Sequence, residues 1–468
     1  MEEHCLQKQL EAYAQQELYP LHMPGHKRRM APGPGLPYGW DVTEVPGTDD
    51  LHDAREILAQ AMARTAELYG ARRTWYLVNG STCGILAGIR ALAPYGSPVI
   101  CARNCHKSVY HAMELGNLSV EWLVPPVDED FGIYGSVPPE AVAAALDRCP
   151  RARCVILTSP TYEGVVSDIK AIADLCHQRG VPLLVDEAHG AHLSLFPGFP
   201  DGAVKAGADV VIQSPHKTLP SLTQTAWLHL AGPLADPDEI ERQLDVFETS
   251  SPSYPLLASL DGCTGILQSR GRELFEAWSG RLTQFTEAAA DFRHLRLLGD
   301  RPAFFDRDPS KLLVNCRGTG FTGPALAEAL RTRFGFETEM ACGKNLLAMT
   351  SPADSEDALD RFAGALHVLD REAEPVPADH TPALPPPGPA HCTMAQALAI
   401  PAEQLPPEQA LGRVAAEYVW AYPPGVPLLA PGEEITEGFL EAAAHLEQIG
   451  TALKHTGGTG GMYRCTKN

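Results

Sequence analysis

The sequence predicts an α/β protein: a mainly parallel sheet covered on both faces by helices, followed by a smaller α+β unit. Three observations carry that expectation. Between Leu51 and about Leu230, short apolar runs alternate with longer amphipathic stretches, the pattern of βαβ units rather than of hairpins. After Lys311 the pattern changes to brief strands around two helical stretches. A proline-rich segment, Glu374–Ala390, then sets off a last block.

These changes divide the chain into an N-terminal segment over 1–50, a large domain over 51–305, a small α+β domain over 306–373, a linker over 374–390 and a C-terminal domain over 391–468. In the large domain, the apolar runs Thr74–Val78, Pro98–Ala102, Cys154–Thr158, Pro182–Val185, Asp209–Gln213 and Thr225–Leu230 read as strands. Cys83–Ala93, Val137–Asp147 and Ile169–Arg179 read as helices, the last stopped by Gly180. In the small unit, Leu312–Asn315, Phe336–Ala341 and Asn345–Thr350 read as strands, Gly323–Arg333 and Ser355–Val368 as helices. Seven prolines make Glu374–Ala390 a stiff exposed connector. Beyond it Pro406–Tyr418 reads as a helix.

Composition narrows the function. A chain of 468 residues, 44% hydrophobic and 20% charged, can bury a sizeable core. Its 37 basic and 58 acidic residues give a net charge of −21, which disfavours nucleic acid and anionic membranes as partners. The first twenty residues lack the pattern of a secretion signal, and no apolar run approaches the length of a membrane span. The twelve cysteines are scattered without a CxxC or a Cys/His cluster. Reduced thiols in a cytoplasmic protein are therefore expected, with no metal.

Four places carry chemistry. In an open parallel sheet, ligands bind at the carboxyl ends of the strands. Ser214-Pro-His-Lys217 follows the run Asp209–Gln213, so Lys217 sits just past a strand end. An amine there can be held beside a bound carbonyl compound, although a lysine in that position is by itself more often solvated. Leu183-Leu-Val-Asp186 ends a buried strand in a carboxylate that needs a partner. A pyridinium nitrogen would serve, as would a magnesium ion or the start of a helix. Asn79-Gly-Ser-Thr-Cys-Gly84 opens a helix after a strand, which suits a phosphate as well as it suits ordinary capping. In Arg103-Asn-Cys-His-Lys-Ser108, His106 could lie flat on an aromatic ring or remain a surface residue. Phosphate loop, ring-stacking residue, strand-end aspartate and strand-end lysine come in the order used by pyridoxal-phosphate (PLP) enzymes of the aspartate-aminotransferase fold, fold type I.

The chain closely resembles the ornithine/lysine/arginine decarboxylases of that fold type, in their short bacterial form. Shared strings are Pro20-Leu-His-Met-Pro-Gly-His-Lys27, Gly47-Thr-Asp-Asp-Leu-His52, Asn79-Gly-Ser-Thr82, Arg103-Asn-Cys-His-Lys107, Ser159-Pro-Thr-Tyr-Glu-Gly164, Val185-Asp-Glu-Ala-His-Gly-Ala-His192 and Gln213-Ser-Pro-His-Lys-Thr-Leu-Pro220. Thr249-Ser-Ser-Pro-Ser-Tyr254, Tyr422-Pro-Pro-Gly-Val-Pro427 and Pro431-Gly-Glu433 extend the match.

The resemblance implies a PLP-dependent large domain, a decarboxylase-type C-terminal domain and a homodimer with sites at the interface. It implies that Lys217 holds PLP, Asp186 pairs with the ring nitrogen and His106 stacks on the ring. Gly80, Ser81, Thr82, Ser214 and His216 would hold the phosphate, with Ala188 and His189 beside the ring. Lys217 or His216 would return a proton to the substrate carbon. Ser250 or Ser251 would reach the partner's phosphate, and His22–Lys27 would cover the neighbouring site. Glu433, Glu163 and Asp49 are the carboxylates that could bind the distal cation of arginine, lysine or ornithine.

Pro215 departs from the family, which has threonine there, and removes one N–H beside the phosphate. Only Met1–Tyr19 precede the first shared string, so the large rings of longer relatives, built by an extra N-terminal domain, are not expected. An aminotransferase is the alternative activity, for which Arg317 is the one obvious strand-end arginine to hold a substrate carboxylate. A PLP-fold protein that binds an amino acid without turning it over is a third reading.

Overall fold

The computed structural model describes residues 19–21, 48–377, 386–421, 426–448, 452–458 and 461–467. The segments His22–Lys27 and 422–425, on which part of the family match rests, lie outside the described residues.

Seven strands form the central sheet: β1 (Arg73–Leu77), β2 (Pro98–Ala102), β3 (Ser119–Leu123), β4 (Val155–Thr158), β5 (Leu183–Asp186), β6 (Val210–Gln213) and β7 (Ala226–Leu230). Their spatial order is β1-β7-β6-β5-β4-β2-β3. Only β7 is antiparallel to its neighbours; the other pairings are parallel. β4, β5, β6 and β7 are buried along nearly their whole length, which is why they read as unbroken apolar runs rather than alternating ones.

The helices of this domain are α1 (Ile57–Tyr69), α2 (Gly80–Leu92), α3 (Lys107–Leu115), α4 (Pro139–Arg148), α5 (Ile169–Gln178), the single turns α6 (Ala203–Ala206) and α7 (Pro215–Thr218), and α8 (Pro237–Phe247). α2 begins three residues before the expected Cys83, directly after β1. It packs hard on the sheet through Gly84 and Gly88. A Cβ on Gly84 would stand 2.7 Å from a Leu77 methyl, and one on Gly88 would stand 2.9 Å from a Leu184 methyl. These close approaches lock the start of α2 against the strands that end in Asp186 and Gln213.

α9 (Tyr254–Ala289) is a 36-residue helix for which the sequence offered no clear signal. It leads into a four-stranded antiparallel sheet made from β8 (Arg296–Leu297), β9 (Lys311–Asn315), β11 (Met340–Cys342) and β12 (Asn345–Met349), in the order β8-β9-β12-β11. α10 (Gly323–Phe334) and α11 (Ala358–Glu372) accompany it. The run expected as one strand over Phe336–Ala341 is two. β10 (Phe336–Thr338) pairs in parallel with Tyr19–Leu21, and β11 joins the antiparallel sheet. Glu339 stands at the break. The start of the proline-rich connector is tied down: Gly320 N donates to Glu374 O, and Val376 N donates to Gly318 O.

In the C-terminal block, α12 (Met394–Ala399), β13 (Ala402–Leu405), α13 (Pro407–Ala410), β14 (Val419–Ala421), β15 (Pro427–Leu429), α14 (Glu437–Gln448), β16 (Leu453–His455) and β17 (Tyr463–Thr466) surround a small apolar core including Val419, Leu429, Ile435 and Phe439. The helix expected over Pro406–Tyr418 is only one turn long. Gly412 adopts a left-handed conformation at φ +74°, and Val414 and Ala415 then bridge to Glu434 and Cys465. Among the described residues no helix is long and apolar enough to cross a membrane.

Candidate active site

The parallel strands deliver their chemistry at their carboxyl ends. Asp186 is the last residue of β5, in register with Thr158 of β4 and Ile212 of β6. It is 2% exposed, and its Oδ1 accepts the N–H of Ala188 at 3.1 Å. Burial raises its carboxyl above the ordinary value, and nearby Lys217 opposes that rise. β6 ends at Gln213; Ser214 and the turn α7 follow, with Pro215 at the first position of the turn. Proline suits that position because its fixed φ is helical and the N–H it lacks has no intrahelical partner. Lys217 thus projects beside Asp186. Burial lowers its amine, while Asp186 and Glu339 pull the other way.

His189 stands between two lysines. Its Nε2 lies 3.0 Å from Lys217 Nζ, and its Nδ1 lies 3.1 Å from Lys311 Nζ. Tyr162 meets its ring edge to face at 4.9 Å between centroids, and the Tyr162 hydroxyl donates to Glu339 Oε1 at 2.6 Å. Lys311, at the start of β9, and Glu339, between β10 and β11, both lie beyond α9 in the part of the chain that forms the antiparallel sheet. Neither was singled out by sequence reasoning, since each sits in an ordinary strand pattern far from the motifs.

His106 caps α3, its Nδ1 accepting from Ser108 N at 3.3 Å with Ser108 Oγ at 2.8 Å. The residue is exposed, yet the protein around it, then Lys217 and Lys107, lowers its pKa to about 4. It is a neutral imidazole at physiological pH. His216 Nδ1 contacts the Thr225 carbonyl at 2.7 Å, which fixes that nitrogen as the N–H and leaves Nε2 as the basic one.

A group bearing a phosphate and a ring nitrogen fits these residues. Ser214 Oγ is fully buried and has no hydrogen-bond partner, and Thr158 Oγ1, in register with Asp186, is likewise unpartnered. Buried hydroxyls in folded proteins are ordinarily bonded, so such atoms mark places where a ligand supplies the partner. α2 begins at Gly80, φ +78°, and Asn79 makes no side-chain cap bond to it. Its first N–H groups, at Gly80, Ser81 and Thr82, are thus not met by that side chain, as an anion requires.

A polar chain ties the strands beneath the site. Glu187 Oε1 accepts from Ala203 N at 2.7 Å, and its Oε2 accepts from Gln213 Nε2 at 2.7 Å. Gln213 Oε1 accepts from His229 Nε2 at 3.0 Å, and His229 Nδ1 meets Thr74 Oγ1 at 2.8 Å. Burial pushes the Glu187 carboxyl up to about 8 and the His229 imidazole down to about 3. Each side chain directly follows or lies within a motif strand, but only the folded sheet reveals that they are bonded across β5, β6, β7 and β1.

Two of the three expected distal-cation carboxylates are occupied. Glu433 is 2% exposed and pairs with Arg103 through Nη1 to Oε1 at 2.6 Å and Nη2 to Oε2 at 3.0 Å, with Ala430 N also donating to Oε2. Asp49 accepts four backbone N–H groups, from Asp50, Arg55, Glu56 and Leu58, and so ties the loop ahead of α1. Glu163 remains: burial raises its carboxyl, and Lys311 lies within electrostatic reach. Arg317, the candidate carboxylate clamp of an aminotransferase, donates to the Glu129 carbonyl at 3.1 Å and faces Asp130.

The sheet order and strand-end lysine and aspartate define the fold of the aspartate-aminotransferase class, PLP fold type I. SPT with PLP has this fold (TM-score 0.55, 17% identical, covering 67% of this chain and 76% of SPT). The lysine decarboxylase LdcF of Francisella novicida matches more of it, with a TM-score of 0.79 at 17% identity over 91% of this chain and 74% of LdcF. Family models for the major domain and the C-terminal domain of Orn/Lys/Arg decarboxylases match residues 5–299 and 386–458. An arginine decarboxylase of Bacillus subtilis is 33% identical over 442 residues, covering 92% of this chain and 90% of the relative. The chain belongs to the Orn/Lys/Arg decarboxylase family.

Proposed function

We propose that this chain decarboxylates a basic L-amino acid, arginine, lysine or ornithine, to the corresponding amine and CO₂, using PLP held on Lys217. The observation that carries the reading is the half-buried amine of Lys217 within electrostatic reach of the buried carboxylate of Asp186 at adjacent strand ends, in a chain of this family. PLP, when bound, supplies an electron-accepting pyridinium conjugated to the substrate's Cα.

The protein's part follows from its own residues. Asp186 would hold a proton on the ring nitrogen, and its burial strengthens that pairing. Gly80, Ser81 and Thr82 at the start of α2, with the unpartnered hydroxyl of Ser214 and with His216, would hold the phosphate. His106, kept neutral, offers a flat face to the ring without adding charge, and Ala188 and His189 line its other surroundings. Lys217 would give up its place to the substrate amine, and Lys217, or His216 once its Nε2 has taken up a proton, would then deliver a proton to Cα. Of the three expected carboxylates, Glu163 is the one left to answer the substrate's distal cation. A cytoplasmic homodimer with shared sites goes with this reading, as does a role in supplying polyamines.

The test feeds ¹⁴C-carboxyl-labelled arginine, lysine and ornithine separately and traps the gas. One equivalent each of CO₂ and amine is expected, without any keto acid, and norleucine should be a far poorer substrate than lysine. A keto-acid product that retains the label would overturn the reading.

A further inference from the structure

The contacts of His189 constrain where protons can sit. Each of its two bonds, to Lys217 at 3.0 Å and to Lys311 at 3.1 Å, needs one hydrogen and one lone pair. A neutral imidazole offers one N–H and one lone pair; an ammonium offers hydrogens alone. Both bonds can therefore form on a neutral ring only if one lysine is an uncharged amine. On an imidazolium both lysines would have to be uncharged. Two ammonium groups are the excluded combination.

The surroundings choose between the lysines. Lys311 is 2% exposed and faces Asp308 and Glu163. Asp308 is wholly buried, bonds His192 at 3.1 Å and Ser310 N at 2.9 Å through Oδ1, and leaves Oδ2 without a hydrogen-bond partner. Although burial works the other way, His192, Lys311 and Ser310 hold that carboxyl below its usual range, so it is a firm anion beside Lys311. Lys217 faces Asp186 and Glu339, with His106 also close, and burial pushes the Asp186 carboxyl up rather than down. The ring of His189 itself lies among Lys217, Lys311, His106 and His216, and burial first of all keeps it neutral.

We propose that Lys311 is a positioning residue. By donating to His189 Nδ1 it fixes the tautomer with the proton on Nε2, and that N–H, aimed at Lys217, holds Lys217 as an uncharged amine. This rests on the reading of Lys217 as the carbonyl-binding lysine, since an uncharged amine is the form that attacks a carbonyl. Tyr162 packs edge to face with the imidazole at 4.9 Å between centroids, which holds the plane of the ring.

The test reads the amine of Lys217 directly. Full-length protein is treated with hydroxylamine to clear any carbonyl compound from Lys217, then acetylated competitively with acetic anhydride across a pH series, and the Lys217 peptide is quantified by mass spectrometry. Wild-type protein should show a labelling midpoint below that of an ordinary lysine. In Lys311→Met the midpoint should rise by about one pH unit or more, because a neighbouring cation is gone and Nε2 is free to accept from an ammonium. Lys311→Arg keeps the charge and the donor and should stay near the wild-type midpoint. An unchanged or lowered midpoint in Lys311→Met overturns the proposal. A second measurement needs no variant at Lys311: ¹⁵N-histidine spectra of wild-type protein, with the His189 signal assigned by its loss in His189→Gln, should show the Nε2–H tautomer. The Nδ1–H form would overturn the proposal. Neither readout requires PLP, so a failure of PLP to load on Lys217 would strike the cofactor reading alone.

Discussion

The strand-end site and the junction that joins the large domain to the C-terminal block both bury charge, and they treat it in opposite ways. At the junction, the Arg103 guanidinium makes two bonds to Glu433 and one to the Leu428 carbonyl at 3.1 Å. It also lies over Trp122 at 4.9 Å and near Tyr110 at 5.6 Å. Both oxygens of Glu433 are matched. At the strand ends, Asp186 has one backbone N–H, Ser214 Oγ and Thr158 Oγ1 have no partner, and two lysines share one imidazole. A buried charge with every valence filled is architecture. Buried polar groups with open valences are costly to the fold alone, and their retention at one place marks where a ligand completes them.

That contrast can be broken by substitution. The largest effect is expected at Asp186. Asp186→Ala should leave the fold intact and cut turnover about a thousandfold, roughly 4 kcal/mol at the transition state. Steady-state kinetics with saturating PLP check it, and a loss smaller than tenfold would remove Asp186 from the electron-sink role. At the junction the effect should fall on stability instead. Glu433→Gln strands the Arg103 cation and should cost about 3 kcal/mol in urea unfolding. Arg103→Met combined with Glu433→Gln should cost less than the sum of the two single changes. If Glu433→Gln instead raised KM for the amino acid with stability unchanged, Glu433 would regain the cation-binding role the structure denies it.

A smaller effect separates the two regions most finely. Ser214→Ala removes a hydroxyl that bonds nothing in the protein, so unfolding should shift by less than about 0.5 kcal/mol. PLP affinity should nevertheless fall about tenfold, the worth of one hydrogen bond to a charged phosphate. Fluorescence titration with PLP alongside denaturation reads both. A stability loss with unaltered PLP binding would make Ser214 part of the architecture.

The same contrast explains what could be read from the sequence. Asp186 and Lys217 were legible because a fully buried parallel strand is an unbroken apolar run, and a charged residue at its end stands out. The start of α2, proposed to hold a phosphate, stood out for a related reason: small residues placed between a strand and a helix. Lys311 and Glu339 were not legible, because they reach the site from beyond α9 and their neighbours read as ordinary strands. Nor could the fate of Glu433 be foreseen. Its string marked it as functional, and only the fold brings Arg103 to it across 330 positions. α9 escaped notice because Gly265, Gly271 and Gly280 interrupt a pattern whose buried face is narrow and drifts along 36 residues. The single turn at Pro407–Ala410 was overread as a longer helix because Gly412 stops it and the residues beyond form bridges.

The open-valence site is built around one particular amine, that of Lys217. Protein purified with PLP is reduced with borohydride, digested and mapped by mass spectrometry. The pyridoxyl label should fall on the peptide containing Lys217, with Lys311 and Lys107 unlabelled despite lying close by. A label on either of those lysines, or no chromophore and no label after PLP is added, would contradict it.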